Sequence, residues 1–274
     1  MITHTKRNTP LIEQTSPLIK RIQRLHTREE RERTGLFYIE GMRFVTQALH
    51  HHARIERLVV CRELLTHPYA QQLTRGQQRQ GTPILEVSRT VMERLSQVQN
   101  SQGLGAVVRQ RWQRLERVRP RTELCWVAVE TIRTPGNLGT ILRTSDAVGG
   151  AGLMLLGDTT DPYDPGTVRA TMGAQFTQCF VRTSIDAIAH WKRRKQYLLI
   201  GTSPTASQDY QQVCYTAPTI LWMGEERKGL SAEQQAMCDL IVRIPMVGES
   251  DSLNVAMATG VMLYEVFNQR RKQT

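Results

Sequence analysis

The chain has no Cys-x-x-Cys pair; its five cysteines, Cys61, Cys125, Cys179, Cys214 and Cys238, are scattered along 274 residues. Scattered cysteines exclude a zinc knuckle or a dithiol redox pair, so no metal is expected and the thiols are read as buried groups in a reducing cytoplasm. No apolar run approaches the length of a membrane span, and residues 1–10 lack the apolar stretch of a signal peptide. Both absences predict a cytoplasmic chain without a membrane partner. No Gly-x-Gly-x-x-Gly turn opens the second half of the chain, and no Gly-Lys-Ser/Thr phosphate loop occurs anywhere. Dinucleotide redox chemistry and nucleotide hydrolysis therefore lack their usual parts. Lysine is scarce as well, with 6 residues against 30 arginines.

The charge that is present is unevenly spread. The net charge is +11; residues 1–122 hold 22 Lys+Arg against 10 Asp+Glu, and residues 123–274 hold 14 against 15. Guanidinium groups suit phosphate pairing and base stacking. A polyanion bound by the first part of the chain is the reading this favours over a surface kept basic for solubility.

Hydrophobic patterning divides the chain in the same place. An amphipathic helix is predicted over residues 16–34, with Leu18, Ile19, Ile22 and Leu25 on one face. Apolar stretches at 36–39, 55–61, 84–87 and 104–108 read as strands, with helices at 42–50 and 90–97. This is a small α/β domain over residues 1–108. An arginine-rich segment with Pro120, residues 109–122, reads as a basic linker. A second domain, 123–274, alternates strands at 124–129, 153–156, 197–200, 220–223 and 241–244 with helices at 138–148 and 253–269. Such alternation predicts a mostly parallel sheet flanked by helices.

Three segments of the second domain stand out. In the first, Pro135 and Gly136 set a turn, Asn137 reads as a helix N-cap, Gly139 permits close backbone approach, and Arg143 follows on the same helix. The bland reading is a capped helix with a surface arginine. In the second, a strand ends at Met223 and a turn runs from Gly224 through Glu225, Glu226, Arg227 and Lys228 to Gly229. Ligands bind at such strand ends, yet most of these charges read as a solvated turn. In the third, Pro245 closes a strand after Ile244, and Ser252 or Asn254 stands ready to cap the long last helix. That helix is apolar nearly all round, which predicts burial on several sides and suits a subunit interface.

Taken together, Asn137, Gly139 and Arg143, then Gly224, Glu226, Gly229 and Leu230, then Ile244, Pro245 and Met246 followed by Ser252, Leu253, Asn254 and Val255, resemble the SpoU/TrmH-type ribose methyltransferases of the SPOUT superfamily. The resemblance covers residues 124–268, and the first domain resembles that family's ribosomal-protein-like substrate-binding domain. It implies a C-terminal SPOUT-type parallel sheet with a trefoil knot, a homodimer, and S-adenosylmethionine as cofactor. It further implies a cofactor set of Thr202, Gly224, Ile244, Met246 and Leu253, and a catalytic set of Asn137, Arg143, Glu226, Ser252 and Asn254. Glu225 departs from the family pattern, where a small residue is common before the glutamate.

The expected activity is methyl transfer to a ribose 2′-hydroxyl of structured RNA, with 23S-type ribosomal RNA the expected substrate. Transfer RNA is the alternative, as are methylation of a base nitrogen and a non-catalytic RNA-binding assembly factor. The resemblance implies that Arg143 acts as the base. Arginine normally stays protonated, so a cation that clamps an RNA phosphate and polarises the hydroxyl is the other role open to it. Candidate RNA contacts are Arg21, Arg24 and Arg28 on the first helix, with Arg109, Arg111, Arg114 and Arg117 near the linker.

Overall fold

The computed structural model describes residues 16–118, 124–215 and 217–272. The chain divides into two units, Met1–Gln110 with Tyr163–Pro165, and Arg111–Pro162 with Gly166–Thr274.

Unit 1 runs α1 (Pro17–Arg24), α2 (Arg28–Thr34), β1 (Leu36–Glu40), α3 (Met42–His50), β2 (Ile55–Val60), α4 (Pro68–Arg79), β3 (Ile84–Glu86), α5 (Arg89–Leu95) and β4 (Leu104–Arg109). Its sheet has the order β1-β4-β2-β3. The β2–β3 pair is parallel; β4 is antiparallel to both its neighbours. The amphipathic stretch at 16–34 is two helices, not one. Thr27 separates them, donating its hydroxyl to the Arg24 carbonyl and accepting from the Glu30 amide as the cap of α2. Ile19, Ile22 and Leu25 pack with Val91, Met92 and Leu95 of α5 in one core cluster. The sequence pattern misses α4 because only Ala70 and Thr74 of this glutamine-rich helix are buried, which leaves no apolar stripe to detect.

Arg31 is buried in unit 1. Its guanidinium donates to the carbonyls of Leu25 (3.0 Å) and His26 (2.9 Å) and pairs with Asp164 at 3.5 Å. Beside it, the rings of Tyr163 and Phe37 lie 4.8 Å apart. Arg31→Met keeps most of the volume but strands two carbonyls. It is expected to cost about 2–3 kcal/mol in denaturant unfolding. A change below about 0.5 kcal/mol would mean that water satisfies those carbonyls equally well.

Unit 2 contains β5 (Trp112–Gln113), β6 (Cys125–Glu130), α6 (Pro135–Ala147), β7 (Gly152–Leu156), α7 (Pro165–Thr171), β8 (Cys179–Thr183), α8 (Ile185–Lys195), β9 (Leu198–Thr202), β10 (Gln208–Asp209), β11 (Thr219–Met223), α9 (Ala232–Met237), β12 (Leu240–Arg243) and α10 (Val255–Arg271). Eight strands form one sheet in the order β10-β12-β9-β11-β6-β7-β8-β5, and every pairing is parallel. All five residues of β7 and of β11 are buried. A strand buried on both faces needs helices on both, as continuous apolar runs predict.

The segment expected as a basic linker, 109–122, is not a free connector. Arg109 ends β4, Trp112–Gln113 pair with Phe180–Val181 of β8, and Leu115 and Val118 join the core cluster of unit 2. Residues 119–123 lie outside the described residues. The arginine density hid two apolar anchors at a spacing of three. The charge asymmetry shrinks accordingly. Unit 1 has 17 basic against 10 acidic residues, net +7, and unit 2 has 19 against 15, net +4.

Candidate active site

The chain reverses its direction of travel across the sheet between β6 and β11. From β6 it steps outward through β7 to β8, and then returns to build β9, β11 and β12 on the other side. Parallel sheets bind ligands outside the carboxyl ends of their strands at such a switch point. Here those ends carry the first two sequence motifs, the β6–α6 turn and the loop after β11. The turn is pinned: the Ile132 amide donates to Thr159 Oγ1 (3.1 Å), the Thr160 amide donates to the Ile132 carbonyl (2.8 Å), and Thr131 is held at φ 57°. A β-branched residue in the left-handed region is strained by about 1–3 kcal/mol.

Across the switch point the three motifs meet. Asn254 caps α10, its Oδ1 accepting from the amides of Ala256 (2.9 Å) and Met257 (3.4 Å). Backbone amides only donate, so this fixes which way the Asn254 side chain faces. Its Nδ2 then donates to Asn137 Oδ1 (3.2 Å), and Asn137 Nδ2 donates to Glu226 Oε1 (2.5 Å). Every donor in the chain points one way, and the accepting end falls on the Glu226 carboxylate. The neighbouring Glu225 turns elsewhere, to Arg133 at 3.3 Å. The two adjacent acids therefore have separate partners.

Asn137 is not the N-cap expected of it. The cap position is Thr134, and Pro135 and Gly136 are the first helical residues, not a turn before the helix. Pro fits the first helical position because its missing N–H would have no partner there. Asn137 sits one residue further in, free to reach Glu226. Gly139 does meet its expected close approach, to protein: a Cβ there would lie 2.4 Å from Ala170 Cβ and 2.6 Å from the Thr167 carbonyl of α7.

A pocket of about 310 Å³ opens beside this relay. Thr202, Gly224, Ile244, Met246 and Leu253 all line it, with Glu226 and Ser252 on its wall. Its size and its mix of apolar wall with a few polar groups suit a small-molecule site. Gly224 is essential to its shape, since a Cβ would lie 2.3 Å from the Gly229 carbonyl carbon and 2.5 Å from the Leu230 nitrogen. The loop folds back on itself there, with mutual backbone hydrogen bonds between Glu225 and Gly229. Sequence reading missed Ser203, Pro204 and Asp251 in the same wall. Ser203 and Pro204 follow the carboxyl end of β9, and that position was the available signal.

Not every expected residue converges. Arg143 is exposed on α6 and does not line the pocket. Six residues along a helix place it about 9 Å further on and turned roughly 120° from Asn137. Among the RNA candidates, Arg28 is paired with Glu32 (3.0 Å) and Arg109 with Glu56 (2.8 Å). Arg21 and Arg24 are exposed on α1, and Arg111 donates to the Phe176 carbonyl (3.5 Å). Burial pushes the Cys125 and Cys238 thiols up to about 12, so neither supplies a thiolate nucleophile at neutral pH. Among the described residues no group of three or more His, Cys, Asp or Glu could hold a metal ion, and no helix is long and apolar enough to cross a membrane.

The chain is similar to the 23S rRNA (uridine(2479)-2′-O)-methyltransferase of Streptomyces viridochromogenes, at 31% identity over 252 residues, 90% of this chain and 87% of that one. It is similar to a crystal structure of an AdoMet-bound rRNA methyltransferase from Sinorhizobium meliloti, with a TM-score of 0.86 and 35% identity over 96% of this chain and 98% of that one. It is 34% identical over 152 residues to the tRNA (guanosine(18)-2′-O)-methyltransferase of Escherichia coli K12, 53% of this chain and 63% of that one. Residues 16–106 match the MRM3-like substrate binding domain, and residues 125–264 match the SpoU rRNA Methylase family. That second match spans seven of the sheet's eight strands, the relay and the whole pocket lining: the chain is a member of the SpoU rRNA methylase family.

Proposed function

We propose that this protein transfers the methyl group of S-adenosylmethionine to a ribose 2′-hydroxyl of 23S-type ribosomal RNA. The observation that carries this is the meeting of Asn137, Glu226 and Asn254, one from each motif, on the rim of the pocket lined by Gly224, Ile244 and Leu253. A non-catalytic assembly factor would have no use for a hydrogen-bond chain of fixed direction beside a cofactor-sized pocket. Similarity along most of the chain to an enzyme named for 23S rRNA favours that substrate over tRNA, where the E. coli relative matches about half of the chain.

The pocket residues fit the cofactor. The self-folded 224–229 loop forms a wall that no side chain at 224 could share, and Ile244, Met246 and Leu253 give it an apolar lining. When bound, the cofactor supplies an electrophilic methyl on a sulfonium; displacement is in line and consumes the positive charge. The chain must hold the ribose hydroxyl in that line and handle its proton. The relay fixes Glu226 as an acceptor at the rim, with Ser252 nearby. Arg143 serves as the phosphate clamp, a role that needs no deprotonation of a guanidinium. The trefoil knot implied by the family resemblance and a cytoplasmic location belong to the same reading.

The test is direct. Purified protein with labelled S-adenosylmethionine should methylate 23S rRNA or ribosomal particles from cells lacking the gene. One 2′-O-methyl ribose should be missing from those cells' RNA. Methylation of tRNA alone would move the substrate, and methylation of neither would remove the enzyme reading.

The protein is further read as a homodimer. On α10 the exposed Met257 (57%) and Tyr264 (47%) lie seven residues apart, two turns along one side of the helix, and form an apolar patch that the chain itself leaves uncovered. Light scattering at micromolar concentration should give twice 31.3 kDa. Met257→Glu with Tyr264→Glu should lower it to the single-chain mass, and a wild-type protein already at that mass would refute the dimer.

A further inference from the structure

Residues 112–116 are fixed to the edge of the unit 2 sheet, and with Arg182 of β8 they line one of the unit's open faces. Trp112 in the edge strand β5 is half-buried, with its ring against Phe180 at 6.2 Å. The Arg182 guanidinium lies over that ring, 4.2 Å from its centroid. Together with Arg114, Glu116 and Thr183 they line an open cavity of about 500 Å³. Arg114 and Arg182 are both exposed. Nothing in the methyl-transfer site uses this face. It lies four strand spacings from β11, roughly 19 Å across the sheet.

We propose that Trp112 and Arg182, with Arg114, form a platform that binds an unpaired nucleotide of the substrate RNA away from the methylated ribose. The inference rests on the reading of the chain as an RNA-modifying enzyme. A base stacks on the outer plane of Arg182, which the tryptophan holds flat from below. Guanidinium planes and aromatic rings are the surfaces on which proteins receive splayed-out bases. Arg114 meets the adjoining phosphate. Glu116 is the one acid in the lining, and it selects against a second phosphate directly over it. The plainer account is that Arg182 merely shields the Trp112 ring from water. That account explains the stack but not the open, arginine-lined cavity beside it. The charge count agrees: residues 111–122 hold five arginines and one glutamate, net +4, which is the whole net charge of unit 2.

Two readouts test the platform in the full-length protein. The other tryptophans, Trp126, Trp191 and Trp222, are buried, so a single-stranded oligouridylate should alter the emission of Trp112 alone, and Trp112→Phe should abolish the change. Arg182→Ala should weaken oligouridylate binding about tenfold. The KM for the RNA substrate should rise by a similar factor, while kcat and S-adenosylmethionine affinity stay at wild-type values. Arg182→Lys, which keeps the charge but not the plane, should recover only part of the loss. The proposal is overturned by wild-type affinity and KM in Arg182→Ala, or by full recovery in Arg182→Lys. Failure of the enzyme reading looks different: no RNA is methylated by the wild type, whatever Arg182 does to oligouridylate binding.

Discussion

Gly224→Ala is expected to lower S-adenosylmethionine affinity at least a hundredfold by calorimetry, about 2.7 kcal/mol of binding free energy. A single methyl is enough because its Cβ has no flexible neighbour to displace. It would lie 2.3 Å and 2.5 Å from backbone atoms of Gly229 and Leu230. Relief requires opening the 224–229 turn, breaking its mutual Glu225–Gly229 hydrogen bonds and carrying Glu226 away from Asn137. The sheet is not involved, so far-ultraviolet circular dichroism should stay that of the wild type. Gly229→Ala is the graded control. It has open space around its Cβ but a φ of +64°, so its cost is backbone strain of about 1–2 kcal/mol. Affinity within a few-fold of wild type in Gly224→Ala would mean that the cofactor does not use this loop.

Arg143→Ala is expected to reduce turnover by a factor of about 10²–10³ while S-adenosylmethionine affinity is unchanged. That is the usual loss when a clamp that orients the reacting group is removed and the group is misplaced by about an ångström. The separation follows from position: Arg143 is exposed on α6 and lines no part of the cofactor pocket. It can act on the RNA without touching the cofactor. Arg143→Lys distinguishes the roles. A clamp that works by charge keeps part of its effect in a lysine, with the bidentate fraction lost. A base would change the pH dependence of turnover, because lysine gives up its proton at lower pH than arginine. Near-normal turnover in Arg143→Ala would defeat both.

The sequence announced the parallel sheet because its central strands β6, β7 and β11 are buried on both faces, and such strands read as unbroken apolar runs. It announced the site because glycine, asparagine and proline mark the carboxyl ends of β6, β11 and β12, where a parallel sheet binds its ligands. Other features left weaker traces. The α4 helix buries only Ala70 and Thr74, and β8 is a five-residue strand carrying Cys179 and Arg182; neither shows a stripe. Thr27 breaks an apparently continuous helix through a hydroxyl that caps as well as it continues. The Asn137 role is hidden in the sequence for the opposite reason. A local rule explained it fully, and only the partner 89 positions away shows why it is not a cap. The separate partners of Glu225 and Glu226 were equally out of reach, since they depend on Arg133 and Asn137 lying on one side of the switch point.

The two-residue strand β5 also decides where the chain can safely be cut. A fragment beginning at residue 123 would remove Trp112–Gln113 from the flank of β8 and take Leu115 and Val118 out of the core. β8 would then present an unpaired ladder of backbone groups beside Phe180 and Val181, both otherwise buried. Such a ladder recruits strands from other molecules. A fragment starting at Arg111 keeps its own cover and should remain dispersed at concentrations where the shorter one precipitates. A stretch that looks like a disposable tether thus serves, through Trp112, Gln113, Leu115 and Val118, as the guard of an otherwise sticky flank.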